Sequence, residues 1–337
     1  MKGTQLFVVV NSRAARARAA WPRLRETLKD SGVLFEACEP STPRETEEAA
    51  RAALTEGFRT VAVVGGDGTL SAAASGYFEP FESLAEGEHP RAVNPSAALA
   101  ILPAGTGDDF ARGLSGGRRE TVETWLARLI AHCRADFDDE HVGLHHPMES
   151  ARGVDVILGS VDGGARHFVC VNAVTIGVGA EVASRVAAQS DTVRRLPGEA
   201  RFALASVRSL FEWRNRRVRV RVDEEEWFEC ATNLIAVVNG AYAGGGMNFS
   251  PRASLDDGLL DVLTVDGLSR ATLVRELSRV HSGGHLSNPK IKLTLGTRVR
   301  VETIDASDPL GVEADGDPRG HTPAEFHVLH AALRVVV

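Results

Sequence analysis

The chain has little cysteine, no excess of positive charge and no long apolar run. Its four cysteines among 337 residues, Cys38, Cys133, Cys170 and Cys230, lie far apart without a C-x-x-C pair. That spacing indicates neither a zinc site nor a disulfide framework and points to a reduced, cytoplasmic setting. A formal net charge of −7 excludes a nucleic-acid binder that works through overall basic charge, although it leaves room for a local basic patch. No apolar stretch approaches the ~20 residues that span a bilayer, and the N-terminal Met1 to Leu6 runs straight into a short strand. Any lipid is therefore met from the water side. What is present is ordinary for a soluble globular protein, with 43% hydrophobic and 25% charged residues and enough length for two domains with a core in each.

The chain is organised around Val61 to Leu70, VVGGDGTL preceded by Val61-Ala62. Four apolar residues read as a strand buried on both faces, the glycines allow a sharp turn that presents N–H groups to an anion, and Thr69 onwards opens a helix. Asp67 stands out in such a loop, because a carboxylate repels a phosphate unless a divalent cation or a substrate hydroxyl lies between them. It is a candidate for metal organisation or general-base work. A plain Gly-Asp-Gly turn after a strand is the competing reading.

Before this motif, Leu6–Val10 and Val33–Cys38 read as strands and Arg13–Leu28 as a helix; Thr42-Pro43-Arg44-Glu45 opens a second helix with a cap, a first-turn proline and a capping-box acid. After it, Tyr77–Ala97 reads as a surface loop and Ala98–Leu102 as a strand ending in PAGTGDDFAR, Pro103 to Arg112, which repeats the layout of the first motif. Asp108 or Asp109 there could equally be an N-cap. Thr121–Cys133 reads as an amphipathic helix, followed by an exposed connection carrying Asp136 to Glu140, His141, His145 and His146, in which a solvated loop is favoured over a metal site. Alternating βα units predict a parallel sheet with helices on both sides.

Beyond about residue 150 the pattern switches to strands. Val154–Leu158 and His167–Val171 flank Asp162-Gly163-Gly164, a hairpin signal. A helix is expected over Phe202–Arg217, with Trp213 on its apolar side and arginines near its ends; core packing is favoured over a membrane-interface role. Strands are expected at Val218–Val222, Trp227–Ala231, Leu234–Val238 and Val299–Glu302, and a helix capped by Ser269 over Leu268–His281.

Gly65-Gly66-Asp67-Gly68-Thr69 resembles the signature shared by the diacylglycerol kinase catalytic-domain family of lipid kinases, which includes sphingosine and ceramide kinases, and by NAD kinases and phosphofructokinases. Gly105-Thr106-Gly107-Asp108-Asp109-Phe110-Ala111-Arg112 is similar to the lipid-kinase Gly-Thr-x-Asn-Asp-x-Ala-Arg segment, with Asp108 in place of Asn. Asn172 to Glu181, Pro251 to Gly258 (PRASLDDG) and Asp315-Gly316-Asp317, with Asp317 in place of Glu, follow in the family's order, so the resemblance covers almost the whole chain. It implies a Rossmann-like α/β N-terminal domain of the NAD-kinase and diacylglycerol-kinase type, residues 1–135, joined by a closing strand at about 326–337. A mainly β, sandwich-like lipid-kinase domain is implied over 150–325.

The resemblance further implies an ATP-dependent lipid kinase acting on a lipid hydroxyl at the membrane surface, most simply diacylglycerol to phosphatidic acid. Asn11, Gly65, Gly66, Gly68, Thr69, Gly105 and Thr106 would face the nucleotide. Asp67 would orient or deprotonate the hydroxyl, with Asp155 and Asp317 of the second domain helping to hold Mg²⁺; an ordinary exposed strand residue is the competing reading for Asp155. A structural Mg²⁺ would take the Asp257 side chain and carbonyl oxygens of Ser254 and Leu259, although the acids there could also be turn formers. A homodimer fits the same family. The rival expectations are a NAD kinase-like enzyme and a nucleotide- or lipid-binding relative with weak or no catalysis, the latter prompted by Asp108 and Asp317.

Overall fold

The computed structural model describes residues 6–85, 87–142, 150–189 and 198–337. The chain forms two compact units, one of Met1–Val156, Leu255–Asp257 and Leu329–Val337, the other of Ile157–Ser254 and Gly258–Val328.

The first unit begins with β1 (Leu6–Val10), α1 (Ala15–Asp30), β2 (Phe35–Cys38), α2 (Pro43–Thr55), β3 (Thr60–Gly65), α3 (Asp67–Tyr77), β4 (Ala98–Pro103), α4 (Asp109–Leu114) and α5 (Val122–Val142). Every residue of β3 is buried, as its unbroken apolar run requires of a strand covered on both faces. α2 starts where its capping box dictates: the Thr42 hydroxyl accepts the Glu45 N–H and the Glu45 carboxylate accepts the Ser41 N–H at 2.7 Å.

The strands are all parallel, in the order β2-β1-β3-β4. A right-handed crossover from β1 to β2 runs opposite to those from β2 to β3 and β3 to β4, so α1 covers one face and α2 and α3 the other. In agreement, α2 packs on α3 and α1 on α5. The direction of winding reverses between β1 and β3, where open α/β sheets bind ligands beyond their carboxyl ends.

The second half of the chain contains β5 (Ala151–Val161), β6 (Arg166–Cys170), β7 (Ala173–Gly177), α6 (Val178–Ala187), α7 (Gly198–Glu212), β8 (Arg216–Val222), β9 (Phe228–Val238), β10 (Tyr242–Ala243), β11 (Met247–Asn248), β12 (Leu260–Asp266), α8 (Arg270–Val280), β13 (Ile291–Gly296), β14 (Arg298–Thr303), β15 (Gly311–Ala314), β16 (Asp317–His321) and β17 (Ala324–Val336). Its ladder β16-β15-β7-β9-β8-β14-β17 is antiparallel. β9 changes partners along its length, pairing β8 through Phe228–Thr232 and then β7 and β12 through Leu234–Val238. That switch turns the strands around one apolar core containing Val220, Ile235, Leu263, Val301 and Phe326. The last residues of β17 belong to the first unit, where Val335 pairs in parallel with Leu99 of β4.

The structure corrects the sequence reading in three places. α5 continues through Val142, so the expected connection at Asp136–His141 is helical; His145 and His146 lie outside the described residues. α7 ends at Glu212, and Arg216 and Arg217 open a strand whose valines alternate inward. The two strands expected at 227–231 and 234–238 are one, because Asn233 is buried in mid-strand with its amide bonded to Leu268 at both N–H and C=O. Trp213 lies beyond the helix end and is 9% exposed in the apolar core, in keeping with the favoured core packing. The expected Ser269 cap is present, accepting the Thr272 N–H.

Candidate active site

In the first unit, two glycine loops close on each other beyond β3 and β4. A Cβ on Gly105 would stand 2.5 Å from Gly66 Cα and 2.7 Å from Asp108 Oδ1, and one on Gly65 would stand 2.7 Å from Thr69 Oγ1. The loops touch backbone to backbone, which only glycine permits. Gly68 faces open space. Asn11, at the end of β1, donates its amide N–H to Thr69 Oγ1 at 2.9 Å, and its backbone N–H goes to Val64 O. The three turns on either side of the switch point are thereby tied together.

Asp67 is the first residue of α3, yet its carboxylate serves α4: Oδ2 accepts the Asp109 N–H and Oδ1 the Phe110 N–H, both at 3.0 Å. Two of the donors that a helix start leaves without intrahelical partners are satisfied in this way. The arrangement fixes the acid between the two loops. Thr106 is exposed. Arg16 of α1 donates to the Gly105 carbonyl at 2.8 Å, bringing a positive charge for which the sequence carries no signal.

Asp108 sits in the left-handed region at φ 51°, with Oδ1 accepting the Gly105 N–H at 2.9 Å. Asn and Asp are the side chains best suited to that conformation, so the departure from the family's Asn preserves the turn and adds an acid. Burial pushes the Asp108 carboxyl above its usual range and the Asp67 charge adds to this; the Gly105 N–H, Arg16 and Arg119 oppose it. The close packing gives a direct expectation. Gly105→Ala should cost about 1–3 kcal/mol, as overpacking does, whereas Gly68→Ala should leave the urea midpoint unchanged or slightly raised.

Asp155 falls in the first unit and is 0% exposed. Its Oδ1 accepts the Ala331 N–H at 2.7 Å and the His330 Nδ1–H at 2.9 Å. Ala331 has φ 50°, an uncommon conformation for alanine, and Gly153 leaves room for it. The reading of Asp155 as an exposed strand residue is therefore wrong. His330, 175 positions away, carries no sequence signal linking it to this acid.

In the second unit the Asp315-Gly316 turn joins β15 to β16 and is held by two carboxylates. Asp315 accepts the N–H groups of Val171, Asn172 and Ala173 at 2.9–3.2 Å, and Glu313 accepts the Gly316 N–H and the Thr175 hydroxyl. Burial lifts the Glu313 carboxyl to about 7, with the charges of Asp315 and Asp317 acting in the same direction and its two hydrogen bonds against it. Asp317, next along, is 56% exposed with Arg319 Nη2 at 3.9 Å.

Ser254, Asp257 and Leu259 lie in the irregular segment between β11 and β12, with the Asp257 side chain exposed. Among the described residues no three His, Cys, Asp or Glu side chains gather in a way that could hold a metal. A cation at that segment would need main-chain oxygens, which suit a hard ion such as Mg²⁺.

Residues 5–138 match the model of the diacylglycerol kinase catalytic domain, and residues 172–337 match that of the YegS C-terminal NAD kinase beta sandwich-like domain. A Pseudomonas aeruginosa (strain UCBPP-PA14) protein named "Probable lipid kinase YegS-like" is 29% identical over 99% of this chain and 95% of its own length. A Mycobacterium tuberculosis (strain CDC 1551 / Oshkosh) diacylglycerol kinase is 28% identical over 85% of this chain and 79% of its own. The crystal structure of a diacylglycerol kinase from Bacillus anthracis str. Sterne has the same fold, with a TM-score of 0.63, 16% identity, and coverage of 100% of this chain and 97% of that one. The first match falls on the parallel α/β unit with its glycine loops and the second mainly on the β-rich unit that follows it in the chain. The chain belongs to the diacylglycerol kinase catalytic-domain family of lipid kinases, and is a phosphotransferase acting on an alcohol group. Kinase membership implies use of ATP.

Proposed function

We propose that this kinase transfers the γ-phosphate of ATP, with Mg²⁺, to the primary hydroxyl of a membrane lipid, most simply diacylglycerol. The observation that carries the reading is the placement of Asp67: an acid held by two backbone N–H groups between two interlocked glycine loops, at the switch point where an open sheet binds its ligand. The residues present suit a polyphosphate. Gly68 leaves space for one, the N-terminal end of α3 favours negative charge, and Asn11 and Thr69 hold the turn in register.

Phosphoryl transfer asks a protein mainly for positioning and charge. Gly65, Gly66, Gly68, Thr69, Gly105 and Thr106 line the nucleotide, with Asn11 at the edge. Asp67 takes the hydrogen bond, and then the proton, of the attacking hydroxyl. Asp317 is the exposed acid of the second unit assigned to this chemistry; Asp155 acts from the interior by fixing His330 and Ala331. Mg²⁺, when bound, supplies charge neutralisation, and the residues assigned to the structural ion are Asp257 through its carboxylate and Ser254 and Leu259 through their carbonyls.

Contact with a membrane is assigned to α7. Leu204, Val207 and Phe211, at i, i+3 and i+7, are 52%, 53% and 69% exposed and share one helical face. Among the described residues Arg208 pairs with Glu212 and Arg185 with Glu181 and Glu212, and the exposed apolar row is the attraction assigned to α7. Among the described residues no helix is long and apolar enough to cross a bilayer.

The test is ADP formation from MgATP in the presence of mixed micelles of single lipids, with NAD as a parallel acceptor. Stimulation by diacylglycerol above the other lipids supports the full reading. Stimulation by another lipid alcohol keeps the chemistry and replaces the substrate, and stimulation by NAD alone overturns the lipid assignment.

A further inference from the structure

The β16 strand carries a side chain with no part in the chemistry above. Along the β15–β16 ladder Gly311 pairs with His321, Val312 with Gly320, Glu313 with Pro318 and Ala314 with Asp317. Arg319 is the extra residue of a β-bulge, a device that re-aims a side chain and is common beside active sites. The bulged arginine lies over the Phe168 ring, with its guanidinium carbon 5.4 Å from the ring centroid. That ring in turn lies across Gly159, where any Cβ would collide with it. A glycine, an aromatic ring and a bulge thus place one guanidinium over the Phe168 ring.

The charge so held is only loosely paired. Arg319 is only 25% exposed, its Nε is buried with no hydrogen-bond partner, and its nearest carboxylate, Asp317, stands at 3.9 Å. The neighbouring Arg166 differs, being paired with Asp162, which also accepts the His321 N–H. Leaving a buried guanidinium N–H without an acceptor is costly. Its planar fork suits the oxygens of a phosphoryl group better than any other common anion except carboxylate.

We propose that Arg319, stacked on Phe168 and set beside Asp317 by the β16 bulge, is an anion-binding residue that takes a phosphoryl group at the Asp315–Asp317 turn. The inference rests on the kinase reading for its biological ligand, which is either the polyphosphate of the nucleotide or the phosphomonoester of the lipid product. It does not rest on that reading for the binding itself. It also gives the shorter Asp317 a partner, since the acid is steadied by a cation two residues on.

The experiment uses the full chain in two arms. In the first, tripolyphosphate binding is measured by calorimetry for wild type, Arg319→Met and Arg319→Lys, with a thermal melt on each. Arg319→Met, which keeps bulk and loses charge, should weaken binding about 10-fold, the free-energy equivalent of ~1.4 kcal/mol, with Arg319→Lys in between. Equal affinities in wild type and Arg319→Met, or no binding by wild type, overturn the proposal whether or not the protein proves to be a kinase. In the second arm, a raised KM for ATP in Arg319→Met assigns the nucleotide, and weakened inhibition by phosphatidic acid with KM unchanged assigns the lipid product. A folded Arg319→Met with both unchanged within twofold also overturns it.

Discussion

Replacing Asp67 by asparagine should lower phosphoryl transfer by at least ~100-fold, the lower end of what a positioned general base contributes. The same change should cost about 1–3 kcal/mol of stability. The two effects have one structural origin. The Asp67 carboxylate has two oxygens and each accepts an N–H of α4, from Asp109 and from Phe110. Asparagine presents one acceptor and one donor, so one of the two N–H groups meets an N–H. It also removes the negative charge that would draw the proton of an attacking hydroxyl. Steady-state rates with MgATP and lipid micelles, beside a urea titration, separate the two effects. A variant destabilised as expected but fully active would show that Asp67 is a capping residue and no more.

The second large effect concerns Glu313. Its folded-state value of about 7 lies above the ordinary 4.5, so the folded protein holds a proton there that the unfolded chain releases. Stability contributed by the neutral form is fully present below pH ~4.5 and is lost as pH rises through ~7, because the unfolded state binds fewer protons across that window. Every tenfold change in proton affinity is worth about 1.4 kcal/mol, so the loss is on the order of 3 kcal/mol. Glu313→Gln can still accept the Gly316 N–H and bond to the Thr175 hydroxyl while staying neutral. It should match wild type near pH 5 and exceed it at pH 8, which thermal melts at the two pH values would show. Parallel pH profiles for the two proteins would mean that Glu313 is already ionised in the folded state.

Much of the first unit is legible in the sequence because its determinants are local. The apolar runs at Leu6–Val10, Val61–Val64 and Ala98–Leu102 read as buried strands and are found as such, and the loops after them point to the ligand edge. The hairpin around Asp162-Gly163-Gly164 is equally local. What escaped depends on contacts distant in sequence. Asp155 reads as an acid in an apolar strand, and its partners His330 and Ala331 are visible only once β17 has returned to the first unit. Asn233 falls between two expected strands, whereas its side chain bonds the backbone of Leu268 from within a continuous strand. The raised value at Glu313 comes from burial, and the placement of Arg319 from a bulge. Neither has a pattern along the chain.

The central claim, that one chain binds ATP at its glycine loops and phosphorylates a lipid alcohol, is tested most directly by following the label. γ-³²P-ATP and Mg²⁺ are incubated with diacylglycerol micelles and wild type or Asp67→Asn, and the extracted lipids are separated. The account predicts label in phosphatidic acid with wild type and almost none with the variant. Bound ATP with no label in any lipid of a wider panel would contradict it.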